Sequence, residues 1–490
     1  MSWLFGNTFL VISTLSLGSV LVFAVSTLTR NKRSLSWVLG GLVSAVTLAA
    51  AMVLLFLPRR GWDYMNLDPL ALFLDPVALA LGIAVAGYST RYMRESDGAG
   101  RYYGLLILMV TGVTGILAAQ DTVGLYLYFE LMSISSYSLV SFRKEDLSPV
   151  DAGLKYLVLN ATGSTLALTG IALSYLYTGS TSLGAVGWAI GPQGTGLLSP
   201  GGLALALTVA GLGVKSAMVP FHTWLPDAYT YAPAGVSAIM SGIVTEMGFI
   251  SMLKLTLGEF TRTAQPFGYL LMCMAVVTMT VGNLGALLQK DIKRVLSYSS
   301  IAQMGYMMAG MGMGIGFGLV DGVRGSLFHI LTHASMKAGA FLAAGLLIDA
   351  LGTRNIREMQ GAGHRYPLVS GVLVLSCLSL AGIPGFAGFM SKWWIYRTGF
   401  ESGTALGTLV SVTAILNSLC SLGYYLPLIF ILFKKQKRAT APPEPSRTPW
   451  EIVPVLVLGV AVLVLGVYPT PVLHALDAAA LRTMALLGGM

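Results

Sequence analysis

Seven side chains of this sequence can hold and release a proton and fall inside apolar runs: Glu130, Lys215, Glu246, His329, His333, Lys337 and Lys392. A charged side chain at the centre of a bilayer costs about 2.5–3.5 kcal/mol on insertion scales. So many in one apolar chain need a reason, either structural pairing or transport. Glu130 sits in Leu127-Tyr-Phe-Glu130-Leu-Met132, among apolar and aromatic neighbours. A salt bridge locking two helices would account for it, but a proton site whose affinity depends on a nearby lysine is the stronger reading. Glu246, in Ser241-Gly-Ile-Val-Thr-Glu246-Met-Gly248, lies beside small packing residues, so helix locking competes more closely there.

His329, His333 and Lys337 recur at i, i+4 and i+8, a stripe about 80° wide on one helix face. Three readings compete: a haem or metal site, histidines that merely pack, and a proton relay. A bis-histidine haem normally takes its ligands from different helices, and the remaining histidines (His222, His364 and His474) lie near loops or in the tail. The relay is preferred, because imidazole titrates near neutrality and passes protons through both ring nitrogens.

Lys215 precedes Pro220 in Gly211-Leu-Gly-Val-Lys215-Ser-Ala-Met-Val-Pro220. Proline lacks an amide hydrogen and its ring opposes the preceding turn, so the helix is expected to break just after Lys215. A second break is expected near Gly382-Ile-Pro384-Gly385, with Lys392 following. Helices broken at membrane depth are tolerated where the freed backbone meets buried polar groups or water. Two such breaks in separate halves fit the inverted-repeat logic of transporters. No obvious sequence identity links the halves, so the repeat is expected on structural grounds alone.

The elements that carry these residues follow from composition. Of 490 residues, 55% are hydrophobic and only 10% charged, against about a quarter charged in soluble domains. The mean hydropathy is +0.74. Fourteen apolar segments, from 3–28 to 450–468, have roughly the twenty residues a span needs, giving an all-α membrane protein with one domain over 1–468. The first is read as an uncleaved helix. Residues 469–490 place Leu, Ala and Met at helical spacing, as in an amphipathic tail lying along the interface. With both termini outside, the inside loops hold nineteen basic residues and the outside only Arg59, Arg60, Arg262, Arg324, Arg397 and Arg482, a bias that obeys the positive-inside rule. The five remaining are all lysines within spans: Lys155, Lys215, Lys254, Lys337 and Lys392. Lysine can lose its proton when buried and arginine cannot. Lys155 and Lys254 lie near span ends and are expected to snorkel to the headgroups.

The net charge of +9 belongs to this loop pattern and not to nucleic-acid binding. Cys273, Cys377 and Cys420 are far apart and form no disulfide or metal-binding pattern. No nucleotide fingerprint or nucleophile elbow is present, so no ATPase activity, metal or redox cofactor of its own is expected.

Three longer motifs carry a family resemblance. Lys215-Ser-Ala-Met-Val-Pro-Phe-His-Thr-Trp-Leu-Pro-Asp-Ala-Tyr-Thr-Tyr-Ala-Pro233 resembles the broken seventh helix and following loop of the antiporter-like membrane subunits shared by respiratory complex I, membrane-bound hydrogenases and Mrp-type sodium/proton antiporters. Lys290-Asp-Ile-Lys-Arg-Val-Leu-Ser-Tyr-Ser-Ser-Ile-Ala-Gln303 is similar to the family's next signature, and Gly382-Ile-Pro-Gly-Phe-Ala-Gly-Phe-Met-Ser-Lys392 to its broken twelfth helix. The resemblance implies that Glu130 and Lys215 form a coupled pair in a cytoplasmic half-channel. It makes His329, His333 and Lys337 the central relay, and Lys392 the terminal site of the other half-channel. Many relatives carry a lysine where this chain has Glu246; a carboxylate still binds a proton, but its charge step is reversed. The chain lacks the long C-terminal lateral helix of the largest complex I member.

The resemblance further implies a multi-pass proton-translocating subunit in the plasma membrane of a bacterium or archaeon. Its partners would be other membrane subunits, related antiporter-like ones included, and indirectly peripheral redox subunits. A place in an Mrp-type sodium/proton antiporter is the alternative.

Overall fold

The structure is a computed structural model that describes residues 7–28, 33–55, 65–94, 98–183, 199–259, 264–435 and 449–485. Of the loop charges tallied above, Arg30, Lys32, Arg59, Arg60, Arg262, Lys437, Arg438 and Arg447 lie outside the described residues. The described chain is helical almost throughout, with isolated backbone bridges in place of any strand.

Among the described residues, helices cover all or part of each of the fourteen apolar segments. In order they are α1 (Asn7–Leu28), α2 (Arg33–Leu55), α3 (Pro69–Tyr88), α4 (Ala99–Ala118), α5 (Thr122–Val140) and α6 (Leu147–Thr178). The first broken segment is α7 (Pro200–Lys215) followed by the short α8 (Leu225–Tyr231). Then come α9 (Ala234–Thr256), α10 (Ala264–Leu287), α11 (Ile292–Phe317) and α12 (Val320–Leu351). The second broken segment is α13 (Pro367–Ala381) with α14 (Ala387–Glu401). The last spans are α15 (Ala405–Phe433) and α16 (Pro449–Val467). Among the described residues, nine of these helices are singly long and apolar enough to cross a bilayer. The rest are broken, shorter or more polar. The tail forms α17 (Thr470–Ala485), bent 83° from α16 and tied to α12 by Asp477, which lies 2.6 Å from Arg324.

The two breaks are built alike. In the first, the Ala217 amide donates to the Val214 carbonyl and the Met218 amide to that of Gly213. In the second, Gly382 donates to Ser379 and Ile383 to Leu378. Both close a helix end through one residue in the left-handed region, Ala217 at φ 51° and Gly382 at φ 82°.

A longer correspondence surrounds them. α6 and α12 have 32 residues each and end in left-handed glycines, Gly179 at φ 63° and Gly352 at φ 69°. The segment after each glycine bridges back to the start of the helix before it, α5 in the first half and α11 in the second. Thr122 donates to the Thr181 carbonyl and Leu183 to Gln120; in the second half Ile292 donates to Arg354 and Ile356 to Lys290. An aspartate caps each of these helices at this point, Asp121 on α5 and Asp291 on α11. The repeat that sequence identity does not reveal is thus visible in backbone hydrogen bonds.

α9 is wholly enclosed by its neighbours, whereas α1, α6 and α15 expose long apolar faces. Its helix widens by one residue per turn over Met240–Val244, a local bulge of the kind that turns the following side chains to a new face. At Gly242 α9 packs closely on α3 and α12: a Cβ there would lie 2.7 Å from Leu81 Cδ1 and 3.5 Å from the Ala334 carbonyl, so a larger residue would require the Leu81 side chain to move.

Candidate functional site

Lys215 ends α7, and its ammonium turns toward α5. It donates to Glu130 Oε1 at 3.2 Å, to Ser133 Oγ at 2.9 Å and to Tyr137 Oη at 3.3 Å, and it lies 4.5 Å over the Phe129 ring. Glu130 also accepts a short hydrogen bond from Ser164 on α6. The lysine side chain is 3% exposed and the glutamate 25%. Burying both charges is costly, and their attraction offsets this only when remaining polar atoms are also satisfied; three hydroxyl groups serve that need.

Glu246 follows the widened turn of α9 and reaches α12, where its Oε1 lies 2.7 Å from His333 Nδ1. The approach is out of line for a hydrogen bond, and Glu246 Oε2 and both His333 nitrogens have no partner of that kind. His329, one turn away, is fully engaged: Nδ1 meets Ser391 Oγ at 2.8 Å and Nε2 meets Gln303 Oε1 at 3.0 Å. Because the Gln303 amide nitrogen donates to the Leu380 carbonyl, its oxygen accepts from His329 Nε2–H. With both nitrogens occupied by protein groups, His329 offers no lone pair to a haem iron.

Lys337 donates to the Leu296 carbonyl at 2.6 Å and to Ser299 Oγ at 2.7 Å, both on α11. Lys392, on α14, reaches back across the second break to the Leu380 carbonyl at 2.7 Å and to Ser418 Oγ at 3.0 Å, over the Tyr306 ring at 4.2 Å. Both are completely buried, and among the described residues neither has a carboxylate within salt-bridge distance. The seven expected residues therefore form three clusters in one interior: Glu130 with Lys215, Glu246 with His333 and Lys337, and His329 with Lys392 through Ser391 and Gln303.

Two lysines depart from the expected snorkelling. Lys254 is buried and donates to the carbonyls of Ile116, Leu117 and Ala119 at 3.1, 2.7 and 2.7 Å. These groups close α4, where backbone acceptors and the negative end of the helix dipole favour a cation. Lys155 pairs instead with Asp227 at 2.6 Å, beside Arg294. Lys293, counted above with the loop charges, is buried and donates to the Ala232 carbonyl at 2.5 Å, at the end of α8.

Sequence reasoning missed the neutral partners: Ser133, Tyr137, Ser164, Ser299, Gln303 and Ser391. Such residues are common in helices and carry no signal until a charge is placed beside them. It also missed Asp75, a fully buried carboxyl in α3 held by Thr114 at 2.8 Å, although a charged residue inside Leu70–Leu81 was a signal that could have found it. Among the described residues, no three or more His, Cys, Asp or Glu side chains gather as a metal site.

A cavity of about 1140 Å³ opens beside α4, α5 and α6; its lining includes Arg101, Arg143 and Lys144, the acidic Glu145, Asp349 and Glu451, and Tyr137. Tyr137 is the residue whose hydroxyl meets Lys215.

The chain is similar in sequence and in fold to known proteins. Residues 119–417 match the family described as NADH:quinone oxidoreductase/Mrp antiporter, transmembrane. The chain is 33% identical over 423 residues to F(420)H(2) dehydrogenase subunit N of Methanosarcina mazei, covering 84% of this chain and 83% of that protein. It is likewise 33% identical over 415 residues to NADH-quinone oxidoreductase subunit N of Desulforamulus reducens, covering 84% of each. Its fold is similar to a chain of the membrane-bound sulfane sulfur reductase, an archaeal respiratory membrane complex. There the TM-score is 0.84 at 26% identity, over 98% of this chain and 99% of that one. The chain belongs to the NADH:quinone oxidoreductase/Mrp antiporter transmembrane family, as a multi-pass membrane subunit.

Proposed function

We propose that this chain translocates protons as one membrane subunit of a redox-driven assembly of the complex I kind. Glu130, Lys215, Glu246, His333, Lys337, His329 and Lys392 would form its lateral relay. The observation that carries this reading is the Glu130–Lys215 ion pair at 3.2 Å, set at a helix break and in contact through Tyr137 with an open cavity. At an effective dielectric near 20, separating two unit charges from about 3 to about 7 Å weakens their attraction by roughly 3 kcal/mol. A shift of a few ångströms would thus load or release a proton. The chain's sequence holds no energy-yielding motif, so neighbouring subunits would supply the push, as expected for relatives that are subunits of NADH-quinone and F(420)H(2) dehydrogenases.

The cavity lining includes Arg101, Arg143 and Lys144, the kind of residues the positive-inside rule assigns to the cytoplasmic side. This orientation puts both termini outside, with α17 along the outer interface. Sodium/proton exchange in an Mrp-type assembly is the second reading, favoured by the buried carboxylate Glu246, since sodium prefers oxygen ligands.

Replacing Lys215 with Met in the assembled complex tests the proposal. Redox-driven acidification of proteoliposomes should disappear while subunit composition stays intact. Normal acidification by an assembled K215M complex would overturn it.

A further inference from the structure

We propose that Glu246 and His333 act as one proton-sharing unit, joining the two halves of the relay, with water completing the contact. The inference rests on the relay reading above and deepens it. Three observations carry it. Glu246 Oε1 and His333 Nδ1 lie 2.7 Å apart. Glu246 Oε2, His333 Nδ1 and His333 Nε2 are buried polar atoms without hydrogen-bond partners. The widened turn at Met240–Val244, immediately before Glu246, sets the face that the carboxylate presents.

Buried polar atoms without partners are rare in folded proteins, and three in one spot call for a specific explanation. His329 shows the contrast: on the same helix, with its ring centre 6.2 Å away, it has a protein partner on each nitrogen. His333 instead has neither nitrogen in a hydrogen bond among the described residues, although the Glu246 carboxylate lies against Nδ1. A water molecule with two to four polar partners is the usual occupant of such a place.

The charge arithmetic explains why the two groups belong together. A carboxyl and an imidazole that share one proton have zero net charge, whichever of them holds it. A second proton brings the unit to +1. Alone, Glu246 would alternate between −1 and 0, and the −1 state is costly in a dry interior. Together the two groups alternate between 0 and +1, the step a lysine makes. Within the unit the transfer breaks the Glu246 O–H bond as His333 Nδ1–H forms, with Nε2 free to pass a proton onward. The other titratable groups around the unit are Lys337 and His329, each one turn away along α12, Lys392 on α14, and Tyr229, which is bonded to Thr245 beside Glu246. The two titrations of such a unit belong to the pair and not to either residue.

The α9–α12 contact also lies between the clusters it would connect. Two residues beyond Glu246, Gly248 packs on the end of α7, where a Cβ would lie 2.9 Å from the Ser216 amide nitrogen and 3.0 Å from the Lys215 carbonyl carbon. On the other side, His333 shares its helix with Lys337 and His329.

The test is a double-variant cycle in the intact complex: Glu246→Gln, His333→Gln, the two combined, and Lys215→Met as reference. If the unit is real, each single variant slows redox-driven proton transport about tenfold, and the combination slows it by the same factor and not by the product, the non-additivity expected of coupled neighbours. Infrared difference spectra should show a carboxyl band that vanishes in E246Q and shifts in H333Q. Multiplying losses, with a carboxyl band indifferent to H333Q, would overturn the pairing while the relay reading stands. Unimpaired transport in K215M would remove the relay itself. A second single pair, Glu246→Asp and His333→Asn, repeats the cycle if either glutamine variant fails to assemble.

Discussion

The two halves of the molecule use the same backbone and opposite electrostatics. Both broken helices close through the same pair of hydrogen bonds, at Ala217 and at Gly382. In the first half the lysine stands at the end of the half-helix and faces a carboxylate, Glu130. In the second it stands on the following half-helix and reaches back to the freed Leu380 carbonyl. The long helices repeat the inversion. Ser164 on α6 serves the anion Glu130 on α5, whereas the cation Lys337 on α12 is served by Ser299 on α11. One half holds its charge as an ion pair, the other holds its lysines against backbone carbonyls and hydroxyls, Lys392 at the end of a half-helix and Lys337 within the first turns of α11. The lesson is that a buried ammonium can be held by a carboxylate or by a helix C-terminus, and only the first answers to movement of another charged side chain.

This difference can be broken experimentally, beginning where the effect is largest. Glu130→Gln removes the carboxylate that pairs with Lys215 and should slow proton transport about a hundredfold, within the range for loss of a positioned acid or base; initial rates of vesicle acidification are the readout. Ser418→Ala takes one neutral partner from Lys392 and leaves the Leu380 carbonyl, so transport should fall only about twofold. Equal losses would mean that the halves do not differ in the way described.

Lys254→Met leaves three carbonyls at the end of α4 without their donor. Each orphaned group costs about 1–3 kcal/mol, so thermal unfolding in detergent should show a loss of several kcal/mol, with transport per assembled complex unchanged. Wild-type stability in K254M would remove its role as a cap. The breaks themselves should respond with opposite signs. Ala217→Gly relieves a left-handed alanine and should stabilise by about 1 kcal/mol. Gly382→Ala should destabilise by at least as much, since its Cβ would also lie 2.9 Å from Ser418 Oγ. Smallest of all, Lys155→Ala breaks a half-exposed pair with Asp227 and should change stability by no more than about 1 kcal/mol.

Much of this was legible in the sequence because a bilayer makes apolar length and buried charge conspicuous. The helical segments, the break after Lys215 and the break before Lys392 could be read from apolar runs and proline positions. The roles of Lys254 and Lys293 could not, because nothing local distinguishes a lysine that snorkels from one that closes the end of a distant helix. The meeting of Glu246 with His333 depends on a single widened turn, Met240–Val244, with no proline to announce it. The repeat was hidden for a related reason: it resides in backbone closure and helix length, and at matching places the side chains differ.

The central claim is that protonatable groups in the three clusters are joined by water through the middle of the molecule. An electron cryo-microscopy map of the assembled complex, at a resolution that shows ordered water, tests this most directly. The account predicts water density against Glu246 Oε2 and His333 Nε2, continuing toward Lys215 on one side and Lys392 on the other. Dry apolar packing around these atoms, with no water between the clusters, would contradict it.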